Sequence, residues 1–193
     1  MFDRVLTVDW SGRSKPSPVV PCADAIFTCY GDQSTLAHPI YHRTRQSAMD
    51  YIGSVVETAK DKKGATLIGF DFSFGYPCGF TKHLTGLRDV RSLWLCLADR
   101  IQDDAQNANN RFQVAADINW MFPGIGPFWG TPANLQFADL PHKGSQRQGH
   151  GLPELRATEE GVKGAQSSWK LFTTGSVGSQ AILGIARLHH LIS

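Results

Sequence analysis

The stretch TLIGFDFSFGYP, residues 66–77, decides the fold that we expect for this chain. Its apolar start is typical of a strand that is buried on both faces, as in a parallel sheet. Asp71 is the first charge in the stretch, and Gly75 and Pro77 then force a turn. Open α/β sheets bind their ligands beyond the carboxyl ends of the strands. We therefore expect Asp71 to lie at a ligand-binding edge of a sheet.

The N-terminus repeats this pattern, with the apolar run 5–8 followed by Asp9 and a polar turn at 10–13. If the two strands are neighbours, the two carboxylates face each other across about 5 Å. Like charges that close do not ionise together without a cation, and Mg²⁺ or Mn²⁺ favours carboxylate oxygens. The sequence therefore predicts a metal site at Asp9 and Asp71. The alternative is that each Asp only caps the turn after its strand.

Hydrophobic periodicity predicts the order strand, strand, strand, helix, strand for the first 72 residues. The predicted strands there cover 4–9, 25–30, 38–42 and 66–70, and the predicted helix covers 45–62. Later helices are predicted at 88–105 and 110–122 and from about 180 to the end, and a short strand at 168–174. The Gly- and Pro-rich region 124–164 is expected to be either a lid or binding loop or partly disordered.

Composition indicates one ordinary domain spanning 1–193, because 41% of the residues are hydrophobic and 19% are charged. The net charge of +2 is too small to predict nucleic-acid binding by itself. The four cysteines lack the spacing of a zinc site, so we expect reduced thiols. No apolar run is long enough to span a membrane, which favours a cytoplasmic protein.

The motifs VDWSG, residues 8–12, and IGFDFSFGYP, residues 68–77, resemble those of the uncharacterised bacterial DUF429-like proteins. The later stretches SWKL, residues 168–171, and GSVGSQ, residues 175–180, are also similar to that group. Its members are predicted nucleases of the ribonuclease H-like superfamily. The resemblance implies an α/β fold, a ribonuclease H-like mixed sheet with a β-β-β-α-β core and a helical insertion.

The resemblance also implies metal-dependent attack of water on a phosphodiester, with Asp9 and Asp71 as shared metal ligands. Members of the superfamily generally add a further acid from a closing helix, whereas the final helix of this chain carries no Asp or Glu. The domain would then lack its closing segment. Glu159 is the best substitute as a third catalytic acid, and its alternative role is an exposed charge near a helix start.

A second group of residues is expected to contact phosphate. Glycines before a helix let backbone N–H groups turn towards an anion, which makes Gly175, Ser176, Gly178 and Ser179 candidates. The alternative is a plain turn in which Ser179 is the helix N-cap. Ser11 and Arg13, in the turn after Asp9, are the other expected phosphate contacts.

Three functions remain open from the sequence. The first is a metal-dependent nuclease or phosphodiesterase that acts on nucleic acid or a nucleotide. The second is a domain related to the actin-like ATPases that binds a nucleotide or phosphorylated metabolite without cleaving it. The third is a catalytically inactive scaffold. An exposed C-terminal helix without neighbours would also favour self-association into a homodimer.

Overall fold

The computed structural model describes residues 2–192, which form two compact units. The first unit comprises the residues up to Phe72 together with Asp103–Asn109. The second comprises Ser73–Gln102 together with the residues from Asn110 onward.

The first unit is a four-stranded mixed sheet with one helix. Its elements are β1 (Arg4–Asp9), β2 (Ile26–Asp32), β3 (Ile40–His42), α1 (Arg45–Lys60) and β4 (Thr66–Phe70). The strand order is β3-β2-β1-β4, in which β4 runs parallel to β1 and the other two pairings are antiparallel. Parallel neighbours in a sheet need a long crossover connection, and α1 lies in the connection that leads into β4. The predicted α/β class is therefore confirmed.

The two faces of this sheet differ. Leu6 and Val8 of β1 are buried, and α1 packs against β2 and β3 with Ala48 and Ile52 fully buried. Val5, Thr7 and Asp9 alternate with the buried residues of β1 and are exposed. The expectation that β1 and β4 are buried on both faces is wrong: β1 alternates like a strand of a sheet with one exposed face, and no residue of β4 is fully buried.

The second unit contains four helices and long connecting segments. They are α2 (Phe80–Thr85), α3 (Val90–Ala98), α4 (Arg111–Trp120) and α5 (Gly178–Ile192). Helix α3 packs against α5 and α2, and a cluster of aromatic rings forms part of the core. This cluster consists of Tyr76, Phe80, Phe122, Phe128 and Trp169.

The structure corrects two predictions about these elements and adds one helix to them. Helix α3 ends at Ala98 instead of residue 105, because Asp104 Oδ1 accepts the N–H groups of Gln106 and Ala108 at 2.8 Å and forms a turn instead. The predicted strand 168–174 is a single bridge between Trp129 and Lys170. Helix α2 was not predicted at all.

Region 124–164 has one short 3₁₀ turn, Gly144–Gln146, and is otherwise irregular. No helix in the described part of the chain has both the length and the apolar character that crossing a lipid bilayer requires.

Candidate functional site

Asp9 and Asp71 lie next to each other at the same end of the sheet. The parallel register pairs Val8 with Phe70, so the next position on each chain is an aspartate. The backbone N–H of Asp71 extends the pairing by donating to the Val8 carbonyl at 3.1 Å. Both aspartates are exposed. Two carboxylates are thus presented side by side, open to a ligand.

The residue after Asp9 holds the second carboxylate in place. The backbone N–H of Trp10 donates to Oδ1 of Asp71 at 2.8 Å. The Trp10 side chain is buried, with its ring centroid 6.3 Å from that of Phe70 and 5.8 Å from that of Phe72. Because the buried indole fixes this peptide group, the Asp71 carboxyl is oriented before any ligand arrives.

The environment of Asp71 disfavours its charge. Desolvation is the largest cause, and hydrogen bonding and charge repulsion from Asp9 act in the same direction, so the pKa of Asp71 rises to about 6. The hydrogen bond from the Trp10 N–H opposes this shift in the pKa. A divalent cation between the carboxylates would neutralise the repulsion.

The pair fits the protein ligands of one Mg²⁺ or Mn²⁺ ion. Mg²⁺ is commonly held by one or two carboxylates, with waters and phosphate oxygens completing its octahedron. Residues 2–192 contain no group of three or more His, Cys, Asp or Glu side chains that could hold a metal ion. Asp9 and Asp71 are therefore a two-carboxylate arrangement in which the remaining positions would be left to water and substrate.

A groove of about 440 Å³ adjoins the two carboxylates within the first unit. Its lining comes from all four strands or the residues next to them: Thr7, Val8, Asp9, Phe27, Thr28, Cys29, Pro39, Gly69, Phe70 and Asp71. Gly69 leaves part of the groove open, because a Cβ built on it would meet no atom within 4 Å. This arrangement gives the acid pair a neighbouring space for a small molecule.

Ser11 and Arg13 follow Asp9 in the same unit and differ in accessibility. Ser11 is buried, and its hydroxyl donates to the Asp24 carbonyl at 2.8 Å and accepts the Arg13 N–H at 3.3 Å. The hydroxyl proton of Ser11 is therefore bonded inside the loop. The Arg13 guanidinium is partly exposed and lies 3.9 Å from the Asp24 carboxylate. Arg13 remains available as a phosphate contact.

A buried arginine fixes the loop that carries these residues. Arg45, the first residue of α1, donates from Nη1 to the carbonyls of Ser11 at 3.0 Å and Arg13 at 2.7 Å. Its Nε and Nη2 bind the Asp103 carboxylate at 2.8 and 2.5 Å, and Nη2 also donates to the Asn107 carbonyl at 3.0 Å. All five N–H groups of the guanidinium are thus satisfied. The loop after Asp9 is held to α1 and to the 103–109 segment.

Glu159 belongs to the second unit, where its carboxylate is paired with Arg156. The Arg156 guanidinium binds Oε1 at 2.6 Å, and the Arg156 backbone N–H donates to Oε2 at 2.9 Å. Partial burial raises the pKa of Glu159, but these hydrogen bonds and the charge of Arg156 outweigh it, so the pKa is lowered. The contacts of Glu159 are those of a local ion pair.

The turn 175–179 also lies in the second unit, and several of its donors are already bonded. The N–H of Ser176 donates to Thr173 at 3.1 Å, and the N–H of Gly178 donates to Lys170 at 2.9 Å. The Ser179 hydroxyl is buried and donates to the Leu171 carbonyl at 2.6 Å. Gly175 adopts a positive φ of 73°, which suits a tight turn. These contacts hold the start of α5, and the anion site remains a prediction.

Sequence reasoning missed three features of the site: the Trp10 N–H, the Arg45 clamp and the groove over Gly69. The first two join residues more than thirty positions apart, so no local pattern reveals them. Gly69 did carry a signal, because a glycine inside a strand often marks a place where a ligand or another backbone approaches closely.

No family model, no curated protein and no solved structure matches this chain.

Proposed function

We propose that this protein is a divalent-metal-dependent phosphodiesterase or nuclease with a ribonuclease H-like first unit. The observation that carries the proposal is the pairing of Asp9 and Asp71 at the ends of neighbouring parallel strands. The strand order β3-β2-β1-β4 supports the fold assignment, since it agrees with the β-β-β-α-β core that the motifs imply.

Asp9 and Asp71 would hold one Mg²⁺ or Mn²⁺ ion, and Trp10 would keep the Asp71 carboxyl oriented through its N–H. When bound, such an ion would act as a Lewis acid towards the phosphoryl oxygen and would lower the pKa of bound water. In the overall reaction the oxygen of water bonds to phosphorus, the phosphorus–oxygen ester bond breaks, and the departing alkoxide takes a proton. Arg13 is a cation in the loop after Asp9, where it would pair with a phosphate oxygen.

A second candidate is a domain that binds a nucleotide or phosphorylated metabolite without cleaving it. The finding that favours it is the same absence of a third metal ligand among residues 2–192. Two-metal hydrolysis needs further acidic ligands to hold the second ion, and the carboxylate of Glu159 is engaged by Arg156.

Hydrolysis of bis(p-nitrophenyl) phosphate separates the two candidates. We expect release of p-nitrophenolate by the wild type in Mn²⁺ and not in EDTA. The Asp9→Asn variant should lose this activity, and the matched control Asp50→Asn should keep it, since Asp50 is an exposed residue of α1. Metal-dependent binding of a nucleotide without hydrolysis would instead favour the second candidate. Equal activity in Asp9→Asn and the wild type would refute the proposed site.

A further inference from the structure

The floor of the groove beside the acid pair is a row of three small residues across three strands. The antiparallel register places Cys29 opposite Thr7, and the parallel register places Gly69 opposite Thr7 on the other side. All three line the groove. This row therefore forms a low strip across the sheet.

Higher rows border this strip on both sides. Two residues further along β1 lies Asp9, with Phe27 opposite it on β2 and Asp71 following β4. Two residues earlier lie Val5 and, on β4, Leu67, which are 38% and 42% exposed. Residues two apart in a strand are separated by about 6.6–6.8 Å, so the bordering rows lie roughly 13 Å apart. A flat ring fits between them.

The border of the strip that contains Asp9 also contains an aromatic ring. The ring of Phe27 packs against that of Tyr41, with centroids 5.3 Å apart, so its position is fixed from the side away from Asp9. Phe27 is half-buried and lines the groove. A planar ligand lying over the strip would therefore have the Phe27 ring and the two carboxylates along one border, and Val5 and Leu67 along the other.

The charges in the groove restrict its ligand. Among the described residues that line it, two are aspartates and none is Lys or Arg. A duplex or a long single strand is gripped through many phosphates and needs several cations along its path. A ligand of this groove is instead one whose single phosphate reaches the acid pair through a bound cation, while an uncharged ring occupies the strip.

We propose, resting on the proposed function, that the substrate is a small phosphodiester of a single nucleoside and not a duplex. The unpaired base lies over Thr7 and Gly69, and the phosphate lies at Asp9 and Asp71. The size of the groove, about 440 Å³, suits one nucleotide unit.

The variant Gly69→Val tests this proposal because it fills the strip without disturbing the acids. A Cβ at Gly69 meets nothing within 4 Å, and β-branched residues are favoured in strands, so the variant should fold. Two substrates are compared in Mn²⁺: thymidine 5′-(p-nitrophenyl) phosphate, which carries a base, and methyl p-nitrophenyl phosphate, which does not. The control is Gly53→Ala in α1, another position where a Cβ meets nothing within 4 Å.

We expect Gly69→Val to lower kcat/KM for the thymidine substrate by about tenfold or more, mainly through KM. The methyl substrate should change less than about twofold, and Gly53→Ala should change neither. Metal-dependent hydrolysis with no preference for the thymidine substrate, or with faster cleavage of a DNA duplex, would overturn the inference and leave the proposed function standing.

A binding measurement decides the remaining case, in which neither substrate is hydrolysed. Calorimetric titration with thymidine 5′-monophosphate in Mn²⁺ should show binding to the wild type that weakens about tenfold or more in Gly69→Val. That result would support the groove as a nucleotide site even though the proposed hydrolysis had failed. Absence of binding to the wild type, or equal binding to both proteins, would overturn the inference.

Discussion

Asp71 has a carboxyl group whose charge the folded protein disfavours. Its pKa is raised from the ordinary 3.8 to about 6, first by desolvation and then by Asp9. The native state therefore binds more protons than the unfolded chain between these two values. The resulting contribution to stability is fully present below about pH 3.8 and is lost as the pH rises through about 6.

The variant Asp71→Asn should remove this loss of stability. Between pH 5 and pH 7.5, without metal, the free energy of unfolding of the wild type should fall relative to that of Asp71→Asn. Urea unfolding at the two pH values measures the difference. Asp50→Asn, on the surface of α1, should track the wild type. A pH-independent difference between wild type and Asp71→Asn would contradict the raised pKa.

Arg45 is the residue on which the geometry of the loop after Asp9 depends. It is fully buried, and its guanidinium binds the nearly buried carboxylate of Asp103 at 2.5 Å. Removing one partner of a buried ion pair leaves the other charge uncompensated and typically costs about 3–5 kcal/mol.

We expect Arg45→Met to lower the free energy of unfolding by about that amount, 3–5 kcal/mol. The double variant Arg45→Met/Asp103→Leu should recover part of the loss, because it removes both charges together. Urea unfolding of the two single variants and the double variant tests this coupling. Additive losses, with no recovery in the double variant, would show that the two residues do not act as a pair.

Among the helices, alanine substitutions at two glycines are expected to change the stability in opposite directions. A Cβ at Gly178, the first residue of α5, would lie 2.5 Å from the Ser168 carbonyl oxygen and 2.6 Å from that of Lys170. Gly178→Ala should therefore destabilise the protein by about 1–3 kcal/mol. Gly53 has open space around its Cβ position, so Gly53→Ala in α1 should stabilise it by about 0.5–1 kcal/mol.

Thermal unfolding of the two variants beside the wild type checks this contrast. The signs matter more than the sizes, because both substitutions add the same methyl group to a helix. If Gly178→Ala were as stable as Gly53→Ala, the close approach of α5 to the segment 168–170 would be wrong.

Local patterns predicted most elements of the first unit and failed more often in the second. Strand β1 and helix α1 follow from apolar periodicity and from turn residues next to them in sequence. The sequence does not reveal the exposed face of β1, because every residue of the run 5–8 except Thr7 is apolar, whichever face of the strand it lies on. The stretch 168–174 forms only one bridge, and its partner, Trp129, is too distant in sequence for a local pattern to show how far the pairing extends.

The candidate site shows the same limit. The sequence predicted Asp9 and Asp71 because each aspartate ends its own apolar run, and the structure places them on neighbouring strands. It could not predict the hydrogen bonds of Arg45 to Ser11 and Arg13, because a buried guanidinium selects its acceptors only in the folded chain.

At the scale of the whole molecule, the chain divides into two units, and the predicted site residues divide with it. Asp9, Asp71 and Arg13 lie in the first unit, whereas Glu159 and the turn 175–179 lie in the second. The proposed metal site is therefore built from the first unit alone. We propose that in the native state its two carboxylates bind a divalent cation.

Thermal unfolding at pH 7.5, with Mn²⁺ and with EDTA, measures this binding. A cation that binds only the native state stabilises it by about 2.7 kcal/mol at a concentration one hundred times its Kd. Wild type and Asp50→Asn should both unfold at a higher temperature in Mn²⁺, and Asp9→Asn should lose most of that gain. An equal gain in Asp9→Asn, or no gain in the wild type, would contradict the paired-carboxylate metal site.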